Sequence, residues 1–105
     1  TPKPAYYAYS TLCKLFPEGS VVDTSVEWDR NGFCVISWTQ KDGTRVWALW
    51  SPDANKKVSV KIGKGFRYAV NQTGETLPVT KKTKSLTIGQ GISYLIGAKT
   101  LKIEN

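Results

Sequence analysis

The sequence predicts an all-β protein, an antiparallel β-sandwich of about eight short strands with a short helix at its N-terminus. Three observations predict it. Apolar and polar residues alternate in short runs, the pattern of half-buried strands. Gly, Asn, Asp and Pro punctuate those runs at regular spacing. One Asp42-Gly43 pair lies between two apolar runs, a strong short-range hairpin signal.

The helix comes first. Ala5, Tyr9, Leu12, Cys13 and Phe16 recur at three- and four-residue steps and form one apolar stripe over 4–16. Pro4 suits a first helical turn, and Pro17 and Gly19 stop the run. Tyr6, Tyr7 and Tyr9 are poor helix formers, so a strand stays open as the other reading of this stretch. Residues 21–28 alternate, with Val22, Thr24, Val26 and Trp28 on one side. Residues 33–39 and 44–51 read as the two arms of a hairpin. In 57–63, Val58, Val60 and Ile62 share one face and Lys57, Ser59 and Lys61 the other. A strand over 66–71 leads into the turn Gln72-Thr73-Gly74. Residues 76–80 contain Pro78, which has no amide to donate and so belongs at a sheet edge. Strands over 85–88, 92–96 and 100–103 complete the set.

The 105 residues suit one domain over 1–105, long enough to bury a core. An apolar share of 40% excludes a disordered chain. No apolar run is long enough for a membrane span, and no signal-peptide core opens the chain. Either such a segment was removed or the chain is a module excised from a longer protein, which the abrupt Thr1-Pro2-Lys3-Pro4 start suits. No cofactor and no metal are expected: histidine is absent, and Cys13 and Cys34 lack zinc-like spacing. Those cysteines read either as one disulfide or, the preferred reading, as two small buried hydrophobes. The net charge of +7 is spread along the chain and interrupted by Asp42 and Asp53. Its densest cluster, Lys81, Lys82 and Lys84, reads as a solvated edge that discourages sheet-to-sheet pairing.

Three of the four tryptophans, Trp38, Trp47 and Trp50, lie on the arms of the Asp-Gly hairpin. A three-residue loop with Gly43 in the left-handed position pairs Gln40 with Thr44. Trp38 then pairs with Val46, Ile36 with Ala48 and Cys34 with Trp50. One face carries Cys34, Ile36, Trp38, Val46, Ala48 and Trp50, all apolar, and is assigned to the core. The other carries Ser37, Thr39, Arg45 and Trp47, with Val35 and Leu49 further down. Trp47 is therefore a functional surface ring, an isolated exposed ring, or a ring covered by the N-terminal helix. Trp28, at a strand end beside Asp29-Arg30-Asn31-Gly32, either rims a binding face or caps the core.

An exposed indole among hydroxyls and a guanidinium has the composition of a sugar platform. A pyranose lays its flat C–H face on the ring, and its hydroxyls find hydrogen bonds at the rim. The expected carbohydrate-binding set is Trp47, Trp28, Arg45, Thr39 and Ser37. Trp38 is added because a one-residue register slip would exchange the two faces. Tyr68 shares its parity with Phe66 and Val70 and is assigned to the core.

The order of motifs resembles a known architecture. Ala5-Tyr6-Tyr7-Ala8-Tyr9 through Leu15-Phe16, Gly32-Phe33-Cys34-Val35-Ile36-Ser37-Trp38, Lys41-Asp42-Gly43 and Val46-Trp47-Ala48-Leu49-Trp50-Ser51 are similar to the small β-sandwich that follows the catalytic barrel in several glycoside hydrolase families. Ala69-Val70-Asn71-Gln72-Thr73-Gly74 and Ile92-Ser93-Tyr94-Leu95-Ile96-Gly97 continue the likeness, which covers nearly the whole chain. The resemblance implies a non-catalytic, extracellular carbohydrate-binding module attached to a cellulase-type catalytic domain, with plant β-glucan as its polysaccharide partner. No ligand residues carry over with it.

An enzyme is not expected. A glycosidase needs two facing carboxylates, and most of the eight acids here sit in turns or near chain ends. Two other readings stay open. A purely structural sandwich would share the fold and bury Trp47 against its neighbour. A basic single-stranded nucleic-acid binder would need lysines around the aromatic hairpin, and they lie elsewhere.

Overall fold

The structure, a computed structural model, describes residues 4–23, 29–30, 33–53, 55 and 57–104. Helix α1 (Pro4–Leu15) leads into nine strands. These are β1 (Val21–Val22), β2 (Asp29–Arg30), β3 (Phe33–Thr39), β4 (Arg45–Trp50), β5 (Val58–Ile62), β6 (Tyr68–Asn71), β7 (Ser85–Ile88), β8 (Ser93–Ile96) and β9 (Leu101–Glu104). Six strands form one antiparallel sheet in the order β1-β3-β4-β8-β6, with β2 also paired to β3, and three form a second sheet, β7-β5-β9. The fold is thus the small antiparallel β-sandwich with a short N-terminal helix that the sequence predicts.

The β3–β4 hairpin follows from its turn. Gly43 has φ 92°, a left-handed conformation that glycine adopts without steric cost. The Gln40 amide donates to the Thr44 carbonyl at 2.8 Å, and the Thr44 amide donates to Asp42 Oδ1 at 2.9 Å. The register that results pairs Cys34 with Trp50, Ile36 with Ala48, Ser37 with Trp47 and Trp38 with Val46, as the Asp-Gly loop predicts.

Two apolar clusters share the large sheet. Val35, Trp47, Leu49, Ala69 and Leu95 on one of its faces pack with Val58, Val60, Ile62 and Ile88 of the small sheet. On the opposite face, Trp38, Val46, Ala48, Val70, Tyr94 and Ile96 pack with Leu15 of α1. The large sheet is therefore a middle layer, covered by strands on one side and by the helix on the other. Alternation in a middle strand reports which layer a residue meets and does not sort core from solvent.

Several local expectations change. The apolar stripe of the helix is not its buried face: Tyr9, Leu12 and Cys13 are exposed and Phe16 is only partly covered by Trp38, whereas Thr11 and Leu15 are buried. The Leu15 carbonyl accepts from Trp38 Nε1 at 2.6 Å and from Gln40 Nε2 at 2.9 Å, which fixes the rotation of the helix about its axis. Both cysteines are free thiols, and Cys13 is exposed rather than buried. Tyr68 is exposed although its parity is that of Val70, because β6 ends the large sheet. Residues 76–80 make one isolated bridge, Thr76 with Val70, in place of a strand. Trp50, assigned to the core, is partly buried against the helix-side cluster.

Candidate functional site

The surface platform predicted around Trp47 is an interior cluster. Trp47 is 6% exposed between the two sheets, and its Nε1 donates to the Ala98 carbonyl at 2.7 Å. The Arg45 guanidinium lies 4.5 Å over the ring centroid, in cation–π geometry. Its Nε donates to Ser37 Oγ at 3.0 Å, its Nη1 donates to the Lys99 carbonyl at 2.9 Å, and its Nη2 pairs with the Asp23 carboxylate. Ser37 is 1% exposed, and Thr39 is half-buried.

By sequence these polar neighbours give Trp47 the pattern of a wet face. Their physical role is different: they satisfy one another at the rim of a dry interface, where an unpaired donor would be costly. The signal for burial was present further down the same face, in Val35 and Leu49. Trp38, the residue added against a register slip, is also buried, with Phe16 edge-on at 5.1 Å and Tyr94 at 6.3 Å. Trp28 lies outside the described residues. Among the described residues, none of the predicted rings is presented to solvent as a flat platform.

Two other features are accessible. The first is a groove of about 410 Å³ between α1 and the β6 edge, lined by Tyr7, Ser10, Thr11, Lys14, Leu15, Gln40, Tyr68, Val70, Thr73 and Gly74. Tyr7 and Tyr68 stand on its two walls, 41% and 39% exposed. The β6 wall is ordered by Asn71, whose Oδ1 accepts from the Thr73 amide, the Thr73 hydroxyl and the Glu75 amide at 2.9–3.0 Å. That closes an Asx-type turn. The turn presses against the helix: a Cβ on Gly74 would lie 2.9 Å from Thr11 Oγ1, and its φ of 91° already disfavours other residues. This site is not legible in the sequence because Tyr7, Ser10 and Lys14 lie off the apolar stripe, and because parity alone assigns Tyr68 to the core.

The second feature is apolar. Tyr9 and Leu12 on α1, Phe16 just past its end, and Val21 and Val22 on β1 are five of the seven exposed large hydrophobic residues identified among the described residues. Val22 pairs with Trp38, and directly paired residues share a sheet face, so Val22 lies on the side where Phe16 meets that indole. Strand β1 is an edge strand of the large sheet.

Few ionisable groups are perturbed. Hydrogen bonds from Thr44 hold the exposed Asp42 carboxyl below its ordinary range. The Cys13 side chain one helical turn away pushes the Tyr9 phenol up. Burial pushes the Tyr94 phenol up. Among the described residues, no group of three His, Cys, Asp or Glu side chains is placed to hold a metal ion. No protein-family model matches the chain, and no curated protein matches it.

Proposed function

We propose that this chain is a non-catalytic accessory β-sandwich that docks on the catalytic domain of a glycoside-hydrolase-type enzyme through the flank made by α1 and β1. One observation carries the reading. The amphipathic stripe of α1 leaves Tyr9, Leu12 and Cys13 exposed, and Phe16, just past the helix end, covers Trp38 with one edge while staying 39% exposed. An apolar stripe on a helix is normally the face that is buried. Here the helix buries a narrower strip through Thr11 and Leu15 and keeps its stripe for another surface.

The edge strand adds Val22, 47% exposed and paired with Trp38 on the helix side of the sheet, beside that stripe. Exposed apolar residues gathered on one flank mark an interaction surface more often than a lone exposed side chain does. The nature of the partner comes from the motif likeness, which spans the same helix and hairpin. In this role the helix is shared between two hydrophobic cores.

The test uses the complete enzyme that carries this sandwich. Leu12→Lys with Val22→Lys should shift the isolated sandwich by only about 0.5 kcal/mol, as exposed substitutions do. The same pair should lower the temperature at which the complete enzyme loses activity and should open the domain junction to proteolysis. An unchanged inactivation profile in the double variant would defeat the proposal.

A further inference from the structure

The groove between α1 and β6 has no part in that docking. Tyr7, Ser10 and Lys14 precede Tyr9, Leu12 and Phe16 by two residues each, which is about 200° round the helix. The two sets therefore occupy opposite flanks, and a partner on one leaves the other open.

We propose that this groove is a binding site for a short saccharide that bears a carboxylate. Its size is the first argument: about 410 Å³ lies within the range of small-molecule sites. Its walls are the second. Tyr7 on the helix and Tyr68 on β6 each offer a half-exposed phenol, an apolar ring with a polar tip. A pyranose presents apolar C–H groups on its faces and hydroxyls round its rim, which matches two aromatic walls set among polar groups. Ser10, Thr73 and Gln40 supply hydroxyl and amide groups along the lining.

Charge decides the class of sugar. Among the described residues of the lining, Lys14 is the only ionisable cation, and no carboxylate accompanies it there. A wholly apolar ligand would desolvate that ammonium with no counter-charge. A phosphate-rich ligand calls for several cations or a bidentate arginine, and the groove offers neither. One ammonium beside hydroxyl-binding groups fits a uronic acid residue, whose single carboxylate pairs with Lys14 while its ring lies against Tyr68. The floor supports this geometry. Leu15 and Val70 are buried, and the Gly74 turn is held against Thr11 by close packing, so the two walls are fixed relative to each other.

The experiment is calorimetric titration of the chain with cellobiouronic acid and with cellobiose, a pair that differs only in the carboxylate. The acid should bind at millimolar concentration, and cellobiose should bind at least about tenfold more weakly. Lys14→Gln should bring the two ligands to the same weak affinity. Tyr68→Ala should abolish binding of both. Far-UV circular dichroism checks both variants, whose substituted side chains are exposed. Amide shifts at Ser10, Thr73 and Gly74 on addition of the acid would place it in the groove. No binding of the acid, equal binding of acid and neutral sugar, or an acid preference that survives Lys14→Gln would overturn the proposal. None of these outcomes bears on the docking flank, which is tested by stability alone.

Discussion

Truncation of Trp47 separates a structural indole from a ligand platform. Its side chain is 6% exposed, and a buried tryptophan removes roughly 150–250 Å² from water. At about 25 cal/mol per Å² that burial is worth about 4–6 kcal/mol, an upper bound because the unfolded chain is not fully extended. Core truncations of this size cost about 3–5 kcal/mol, and that is the expected loss for Trp47→Ala. Trp47→Phe isolates the polar part. It retains a ring between the sheets but deletes the 2.7 Å bond to the Ala98 carbonyl, at a cost of about 1–3 kcal/mol for an acceptor left unpaired. A domain of this kind has about 5–15 kcal/mol in total, so the alanine variant should unfold at far lower urea. The assay is urea unfolding followed by far-UV circular dichroism, because the substitution removes part of the fluorescence signal. A loss under about 0.5 kcal/mol for Trp47→Ala is what a solvent-facing ring would give. That result would refute the middle-layer placement of β4 and return the indole to the list of ligand contacts.

Arg45→Met keeps much of the stem over Trp47 but removes the bonds to Ser37, Lys99 and Asp23, and it should cost about 1–3 kcal/mol in the same urea assay. Gly43→Ala should cost about 1–2 kcal/mol from its left-handed backbone alone, because nothing lies within 4 Å of the added methyl. Gly74→Ala should cost more than Gly43→Ala, since the same strain is joined by collision with Thr11 Oγ1; equal losses would mean that the turn is not pressed against the helix. The Tyr94 phenol should ionise above the ordinary tyrosine value of 10.0, because burial disfavours the phenolate. The folded state then holds this proton more tightly than the unfolded state. Its stabilising contribution is complete below about pH 10 and is lost as pH rises through the folded pKa, which phenolate absorbance during alkaline unfolding would follow.

Most of the secondary structure was legible locally. The Asp42-Gly43 turn dictated the β3–β4 register residue by residue, because a left-handed glycine in a short loop leaves little freedom in how the arms pair. Val58, Val60 and Ile62 announced a strand with one wet face, since the small sheet is an outer layer. The candidate site was not legible in the same way. Trp47 beside Ser37, Thr39 and Arg45 has the pattern of a wet face. That face is closed only because strands distant in sequence, β5 and β7, pack over it. Tyr68 has the parity of a buried residue, yet its strand ends the sheet where the helix leaves a groove.

What the chain determined by itself, then, was its strands, its hairpin register and the existence of an apolar stripe on α1. All of these follow from backbone preferences and periodicity over a few neighbouring residues. Which faces meet water was decided only by tertiary structure. Periodicity states that a face is apolar or polar but not how many layers will cover it, nor how a helix will be rotated when two side chains claim its last carbonyl. Trp38 and Gln40 hold the Leu15 carbonyl, and that rotation turns Tyr9, Leu12 and Cys13 outward and opens the groove beside Tyr7.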